Sequence, residues 1–304
     1  MPIGQLITHL TCLLLLPPLL QGIIVKVKAA FAGRVGAPLL QPYYDIIKLL
    51  RKSVVVSRTT TWLFRAGPVT GLVTAIVAGL IVPLGFPGAP ISFVGDLVFF
   101  AYLFGLGRFF TVLAALDTGS SFEGMGATRE VTFACLAEPA LFLGLLVLAK
   151  RSASLSLSTM LNGAIPEAWS QVTAPVLLVI VSLFIVVLAE NSRIPVDDPN
   201  THLELTMIHE AMVLDHSGPP YGMILYGASI KLFVLGTIVV RTACPFEFAS
   251  SVLNWVAYLA AMFGFAVAIG IVESTMARLR LQRVINLLIA ACLLSAFGII
   301  LLAR

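Results

Sequence analysis

Charge is scarce in these 304 residues: Asp, Glu, Lys and Arg together make up 11% of the chain, less than half the share usual in a soluble domain. That scarcity, with a mean hydropathy of +1.02, excludes a water-soluble fold, which has no use for so much apolar sequence. Cysteine is equally thin. Cys12, Cys135, Cys244 and Cys292 stand one by one, without a Cys-x-x-Cys pair or a His at ligand spacing, so the chain alone holds neither an iron–sulfur cluster nor a nickel site. No HExxH occurs, and Gly124 and Gly126 have no third glycine or Lys-Ser/Thr after them and no strand before them, which removes the zinc-protease and phosphate-loop readings. No Lys or Arg precedes the first apolar run, while Lys26 and Lys28 follow it. That is the wrong polarity for a cleaved leader despite Ala30-Phe31-Ala32, so the run reads as a retained span.

What is present is a series of apolar runs long enough to cross about 30 Å of hydrocarbon as helix. They fall at 5–24, 66–84, 96–116, 130–149, 172–190, 221–240, 251–272 and 284–303. The runs are continuous and rich in Leu, Val and Ala, unlike the short alternating strands of a barrel. The expectation is an all-α integral membrane protein: one polytopic domain over 1–304, a bundle of about eight transmembrane helices with polar loops. Pro17-Pro18 is expected to kink or break the first helix. If 25–65, 117–129, 191–220 and 273–283 are the cytoplasmic loops, thirteen Lys and Arg lie on or beside that face and four (Lys150, Arg151, Arg241, Arg304) on the other. The bias puts both termini outside. The net charge of +4 thus reflects topology and a bilayer partner, not nucleic acid.

Against this background a few charges call for a reason. Arg108 and Lys231 sit inside apolar runs, where a charge costs about 2.5–3.5 kcal/mol by insertion scales and so needs a partner or a wet cavity. Glu130 and Glu138 are eight residues apart, within roughly 80° of one helix face and about 12 Å along the axis. Glu190, closing the fifth run, would converge with them on one interior. Such acids are proton-relay candidates; the plainer reading pairs Glu138 with Arg108 or Lys231 for packing alone. The block from 189 to 218 holds six of the fifteen acids (Glu190, Asp197, Asp198, Glu204, Glu210, Asp215) and three of the four histidines. Asp198-Pro199 reads as a helix start, after which His202 and His209 share a face. They are too far apart to chelate a metal well but able to exchange protons near neutrality. Asp45 and Lys48 lie one turn apart on a short interfacial helix, and Arg278 and Arg280 mark the last cytoplasmic edge, as topology or as a docking surface.

Several of these stretches resemble a known family. Gly36-Ala37-Pro38-Leu39-Leu40-Gln41 with Asp45-Ile46-Ile47-Lys48-Leu49, Leu116-Asp117-Thr118-Gly119-Ser120 with Gly126-Ala127-Thr128-Arg129-Glu130 and Glu138-Pro139, Ala189-Glu190 through Arg193, Pro195, Asp197, Pro199 and Glu204-Leu205, and Glu273 with Met276-Ala277-Arg278-Leu279-Arg280 are similar to the membrane subunit shared by respiratory complex I and the group 4 membrane-bound nickel–iron hydrogenases. The second and fourth stretches resemble its hydrogenase-side branch, that of formate hydrogenlyase subunit 4 and the hydrogenase-4 membrane component. The chain departs from the family pattern with Asn200 and His202 in the signature loop and with Asp215-His216-Ser217-Gly218 where Glu-Tyr-Ser-Gly is usual.

The resemblance implies a non-catalytic anchor and energy-coupling subunit in a prokaryotic inner membrane. Its partners would be a hydrogenase-like large subunit, a small iron–sulfur subunit, a ferredoxin-like subunit and antiporter-like membrane subunits. The chain itself would bind no cofactor: nickel–iron and iron–sulfur centres are expected in those partners, with quinone a possible ligand. Glu138, Glu190, Glu130 and Glu204 would carry protons, and Arg129, Arg193 and Asp197 would set loop geometry and carboxylate pKa, with His202, His209, Lys231 and Arg108 alongside. Gln41, Asp45, Lys48, Asp215, Arg278 and Arg280 would shape the cavity floor or a docking face. Two other readings stay open: a quinone-binding subunit of a complex I-type dehydrogenase, and an independent secondary transporter built around Arg108, Glu138 and Lys231. The two halves show no internal repeat, which counts against the transporter.

Overall fold

The computed structural model describes residues 3–86, 88–162, 173–197, 207–245, 248 and 250–302. The elements found there are α1 (Ile3–Phe31), α2 (Gln41–Leu50), α3 (Trp62–Ile81), α4 (Asp96–Asp117), α5 (Ser121–Ser152), α6 (Leu157–Asn162), α7 (Thr173–Glu190), α8 (His209–Val213), α9 (Gly218–Ala243), α10 (Ser251–Thr275) and α11 (Leu281–Leu301). Seven of them, α1, α3, α4, α5, α9, α10 and α11, are long and apolar enough to cross a membrane, and α7 carries a shorter apolar stretch, Ala174–Glu190. These eight coincide with the eight apolar runs. The chain is an all-helical, multi-pass membrane protein.

Helix α9 runs through the middle, against α1, α2, α3, α7 and α10. Phe233, Leu13, Leu20, Ile81, Phe100 and Leu145 are fully buried around it, whereas Tyr102 on α4 and Phe297 on α11 point outward, as a lipid-facing surface allows. Lipid tails give helices no hydrophobic reason to associate, so close approach through small residues does the work. A Cβ on Gly67 of α3 would stand 2.7 Å from the Ala114 Cβ on α4, and one on Gly107 of α4 would stand 2.7 Å from Thr74 Oγ1 on α3. A Cβ on Gly227 of α9 would come within 3.3 Å of Leu72 Cα on α3. Helix α3 is therefore packed closely against both α4 and α9, and these approaches bring Arg108 and Lys231 to the same carboxylate, Glu190.

Two expectations need correction. The Pro17-Pro18 pair does not break α1, which is helical from Ile3 to Phe31. Pro18 deprives the Leu14 carbonyl of its helical donor, and the Tyr226 hydroxyl on α9 donates to that carbonyl at 2.7 Å, while the Tyr43 hydroxyl on α2 donates to the adjacent Leu15 carbonyl. A neighbouring helix thus supplies the donor that Pro18 removes. The loop expected over 117–129 shrinks to Thr118–Ser120, because α5 already begins at Ser121. Ser120 has extended backbone and Glu123 stands in the first turn, an arrangement that suits a helix N-terminus. A hydropathy window misses these polar turns, and they put Arg129 on helix instead of loop.

Candidate functional site

Arg108 projects from α4 into the space between α5, α7 and α9. Its Nη2 donates to both oxygens of Glu190, at the end of α7, at 2.6 Å each. Its Nη1 donates to Glu138 Oε1, and its Nε lies 3.4 Å from Glu130 Oε1, both on α5. Lys231 on α9 reaches the same Glu190, Nζ to Oε2 at 2.7 Å, and sits 5.6 Å above the Phe104 ring. One guanidinium thus joins three carboxylates, and one ammonium shares the central one. With three negative and two positive formal charges, the cluster is one charge short of neutral.

Burial grades the acids. The Glu190 side chain is 3% exposed, Glu130 19% and Glu138 49%, so the cluster runs from an enclosed end to an open one. The plainer reading pairs Glu138 with Arg108 or Lys231; its partner is Arg108, and Lys231 pairs with Glu190. Beside the cluster is a partly open cavity of about 130 Å³, lined by Arg108, Glu130, Glu190 and Lys231, with His209 and His216 also in its wall.

A second set of ion pairs holds the chain that follows α7. The helix closes with Ser192 in the left-handed region (φ 49°) and with Arg193 N donating back to the Leu188 carbonyl at 2.8 Å, a helix-ending turn that sends the Arg193 side chain toward α10. Arg193 Nη1 lies 3.2 Å from Glu273 Oε1, and Lys28 Nζ from α1 lies 2.8 Å from Glu273 Oε2. Arg278 Nη2 lies 2.6 Å from Asp197 Oδ1. The other Asp197 oxygen accepts from the backbone N–H groups of Ile208 and His209 at 3.3 Å each, capping the start of α8. The expected pairing of Arg193 and Asp197 is present, with Glu273 and Arg278 as partners. Arg129 Nη1 donates to the Met207 carbonyl at 2.9 Å and so braces the same segment.

Other candidates stand apart from the cluster. Gln41, Asp45 and Lys48 are not in the cavity wall. They lie on α2, which buries no residue completely, and Gln41 Nε2 donates to Asp45 Oδ1 at 2.8 Å. Arg278 is turned inward on Asp197, whereas Arg280 and Asp215 are exposed. His202, Glu204 and the Asp198-Pro199 helix start lie outside the described residues. Glu273 was passed over as a site residue, although it too is an acid at the end of an apolar run, the feature that singled out Glu190. Among the described residues, no three His, Cys, Asp or Glu side chains come together as a metal site.

His216 is the other buried ionisable group in the cavity wall. It stacks on Phe64, centroids 4.0 Å apart and planes at 19°, and burial pushes its imidazole down to about 4. An unfolded histidine titrates near 6.5. Between these values the unfolded chain binds the extra proton, so stability rises with pH across that window and is lost as pH falls from 6.5 toward 4. The loss has an upper bound of about 3 kcal/mol. Thermal unfolding from pH 7.5 to 4.5 is expected to show the wild-type midpoint falling more steeply than that of His216→Phe; parallel curves would contradict it.

The NADH dehydrogenase family profile matches residues 4–304. Formate hydrogenlyase subunit 4 of Escherichia coli K12 is 31% identical over 271 residues, covering 87% of both chains. Hydrogenase-4 component C of the same organism is 32% identical over 272 residues, 88% of this chain and 85% of that protein. A subunit of the NADH-quinone oxidoreductase of Rubrobacter xylanophilus is 28% identical over 209 residues, 68% of this chain and 62% of that one. In three dimensions the chain is similar to one chain of the membrane-bound sulfane sulfur reductase, an archaeal respiratory membrane complex, with a TM-score of 0.81, 20% identity and coverage of 98% and 99%; that likeness speaks to the fold.

Proposed function

The chain belongs to the NADH dehydrogenase family of membrane subunits, and from that footing we propose that it anchors and couples a hydrogenase- or formate hydrogenlyase-type oxidoreductase. In this reading a soluble arm docks on the cytoplasmic face formed by 25–65, 191–220 and 273–283, with both termini outside, in a prokaryotic inner membrane. The arm comprises a nickel–iron large subunit, a small iron–sulfur subunit and a ferredoxin-like subunit, and those partners supply the electron transfer. Among the described residues no group fits a metal, and in this reading the chain contributes through carboxylates and cations. Antiporter-like membrane subunits beside it would move protons or sodium ions.

The observation that carries the proposal is the sharing of Arg108 among Glu130, Glu138 and Glu190. Two cations face three carboxylates across these contacts, so the charges of the cluster are tied to one another, and a change of charge in the docked arm would be felt by all of them. Inside a membrane such a shift is felt far more strongly than in water, because little solvent screens it. A proton taken up when the arm is reduced and given up toward the open Glu138 end when it is reoxidised would link the two processes. Each transfer spans about one hydrogen bond or one bridging water, and the adjoining cavity provides room for such waters.

A specific observation favours a second reading. The cavity has apolar walls from Phe104, Leu72 and Met223 beside its charged end, a lining that suits an amphipathic quinone. Purification of the complex around a tagged chain in mild detergent separates the two. About one nickel per complex with many irons is expected; iron without nickel, with quinone retained, would replace the first reading by the second. A chain that purifies alone would overturn both.

A further inference from the structure

On α11 the outward side chains are those that lipid tolerates, with Ile289, Leu293 and Phe297 exposed. The outward face of α5 is different. Thr128, Thr132, Cys135 and Glu138 are all exposed and recur at spacings of three and four residues, which puts them on one side of the helix. Their hydrogen-bonding capacity is nearly all of one kind. The Thr128 hydroxyl donates to the Gly124 carbonyl and the Thr132 hydroxyl to the Thr128 carbonyl, at 2.8 Å each, so both oxygens are left as acceptors. Pro139 has no N–H to give the Cys135 carbonyl. The Glu138 carboxylate meets Arg108 through Oε1, yet 49% of the side chain stays exposed. The Cys135 thiol, a weak donor, is the exception in a row of acceptors.

Glu138 stands near the middle of α5 (Ser121–Ser152), away from both headgroup layers, so bare lipid would set hydrocarbon against a carboxylate. A Cβ on Gly105 of α4 would lie 3.9 Å from Glu138 Oε1; with no side chain there, a further helix has room to come close beside the carboxylate. The cluster behind it counts three carboxylates against two cations. We propose that a transmembrane helix of another subunit docks along this face of α5 and brings a lysine or arginine to Glu138, a third cation for the three carboxylates. This rests on the coupling role proposed above, in which other membrane subunits flank this chain. Lysine and arginine side chains are donors without an acceptor, the complement of the α5 row. Such a pair also sets the depth at which the partner sits, because a helix displaced by one turn would leave both charges unmet in hydrocarbon.

The test uses the whole complex in its own membrane, illuminated and then purified through a tag on this chain. A photoreactive benzoylphenylalanine takes the place of Phe142, which is exposed one turn beyond Glu138, and leaves every charge as it is. The expected adduct joins this position to a membrane segment of another subunit, with a Lys or Arg within about two helical turns of the attachment point. Lipid adducts alone, in a preparation that contains other membrane subunits, would overturn the proposal, and so would a protein adduct without Lys or Arg in that window. Glu138→Lys is expected to lower recovery of the attached subunit at least about tenfold, since like charges facing each other across an interface reject the partner; changing that subunit's Lys or Arg to Glu is expected to restore it. Full recovery with Glu138→Lys would also overturn the proposal, and the adduct test stands whether or not that variant folds. If no other membrane subunit accompanies the wild-type chain, the coupling role itself fails and this proposal with it.

Discussion

Replacing Arg108 by Met is expected to keep the chain from accumulating in the membrane in folded form. The substitution leaves Glu130, Glu138 and Glu190 with Lys231 as their sole partner in the cluster, and Lys231 reaches Glu190. Removing one member of a buried ion pair costs about 3–5 kcal/mol because the other charge stays behind in a poor solvent. The Glu190 side chain is only 3% exposed, so little solvent is at hand to lessen that cost. A loss of this size is a large fraction of the stability of an ordinary domain. Arg108→Lys is expected to recover only part of it, since an ammonium is a point charge that cannot bridge three carboxylates as a planar guanidinium does. Adding Glu190→Gln to Arg108→Met should restore stability beyond the sum of the single effects, the signature of a direct pair. Thermal midpoints in detergent and the yield of folded chain measure this; a stable Arg108→Met protein would mean that the ion pairs contribute little to the fold.

How far this cluster was legible beforehand follows from the physics of each residue. Hydropathy marks where helices cross, because the membrane imposes one length and one polarity on all of them; the eight apolar runs were readable for that reason. The cost of an intramembrane charge likewise announces that Arg108 and Lys231 have partners. Which partner each takes is a matter of packing. Gly67 and Gly107 set α3 against α4, and Gly227 sets α9 against α3, and only after that is Lys231 within reach of Glu190 and not of Glu138. The start of α5 escaped notice because polar turns of a helix leave no hydropathic mark. At Pro18 the Leu14 carbonyl of α1 is met by the hydroxyl of Tyr226, which is remote in sequence. The pairs of Glu273 with Lys28 and Arg193 join residues that stand far apart along the chain, and spacing rules that look one or two turns ahead do not find them.

The second large effect is expected at the other end of the cluster. Glu138→Gln should abolish ion translocation while electron transfer in the soluble arm, assayed with an artificial acceptor, persists. The carboxylate is half exposed on a helix that crosses the membrane, a costly position for a charge unless something beyond the chain meets it. Pro139, next in sequence, has no N–H and so frees the Cys135 carbonyl one turn back, and Cys135 is itself exposed. A polar opening therefore faces outward at Glu138, in contrast to the enclosed Glu190. Glutamine preserves size and a hydrogen bond to the Arg108 region but carries no exchangeable carboxyl proton. With three acids reduced to two, the cluster would hold two carboxylates against two cations. Glu130→Gln makes the same change in charge at the 3.4 Å contact, away from the open end. If charge balance alone governs coupling, both variants should be uncoupled alike; if Glu138 is the point of exit, Glu138→Gln should be dead while Glu130→Gln retains measurable pumping. Undiminished translocation in Glu138→Gln would show that protons leave this chain by another route and that the carboxylate serves only to hold Arg108 in place.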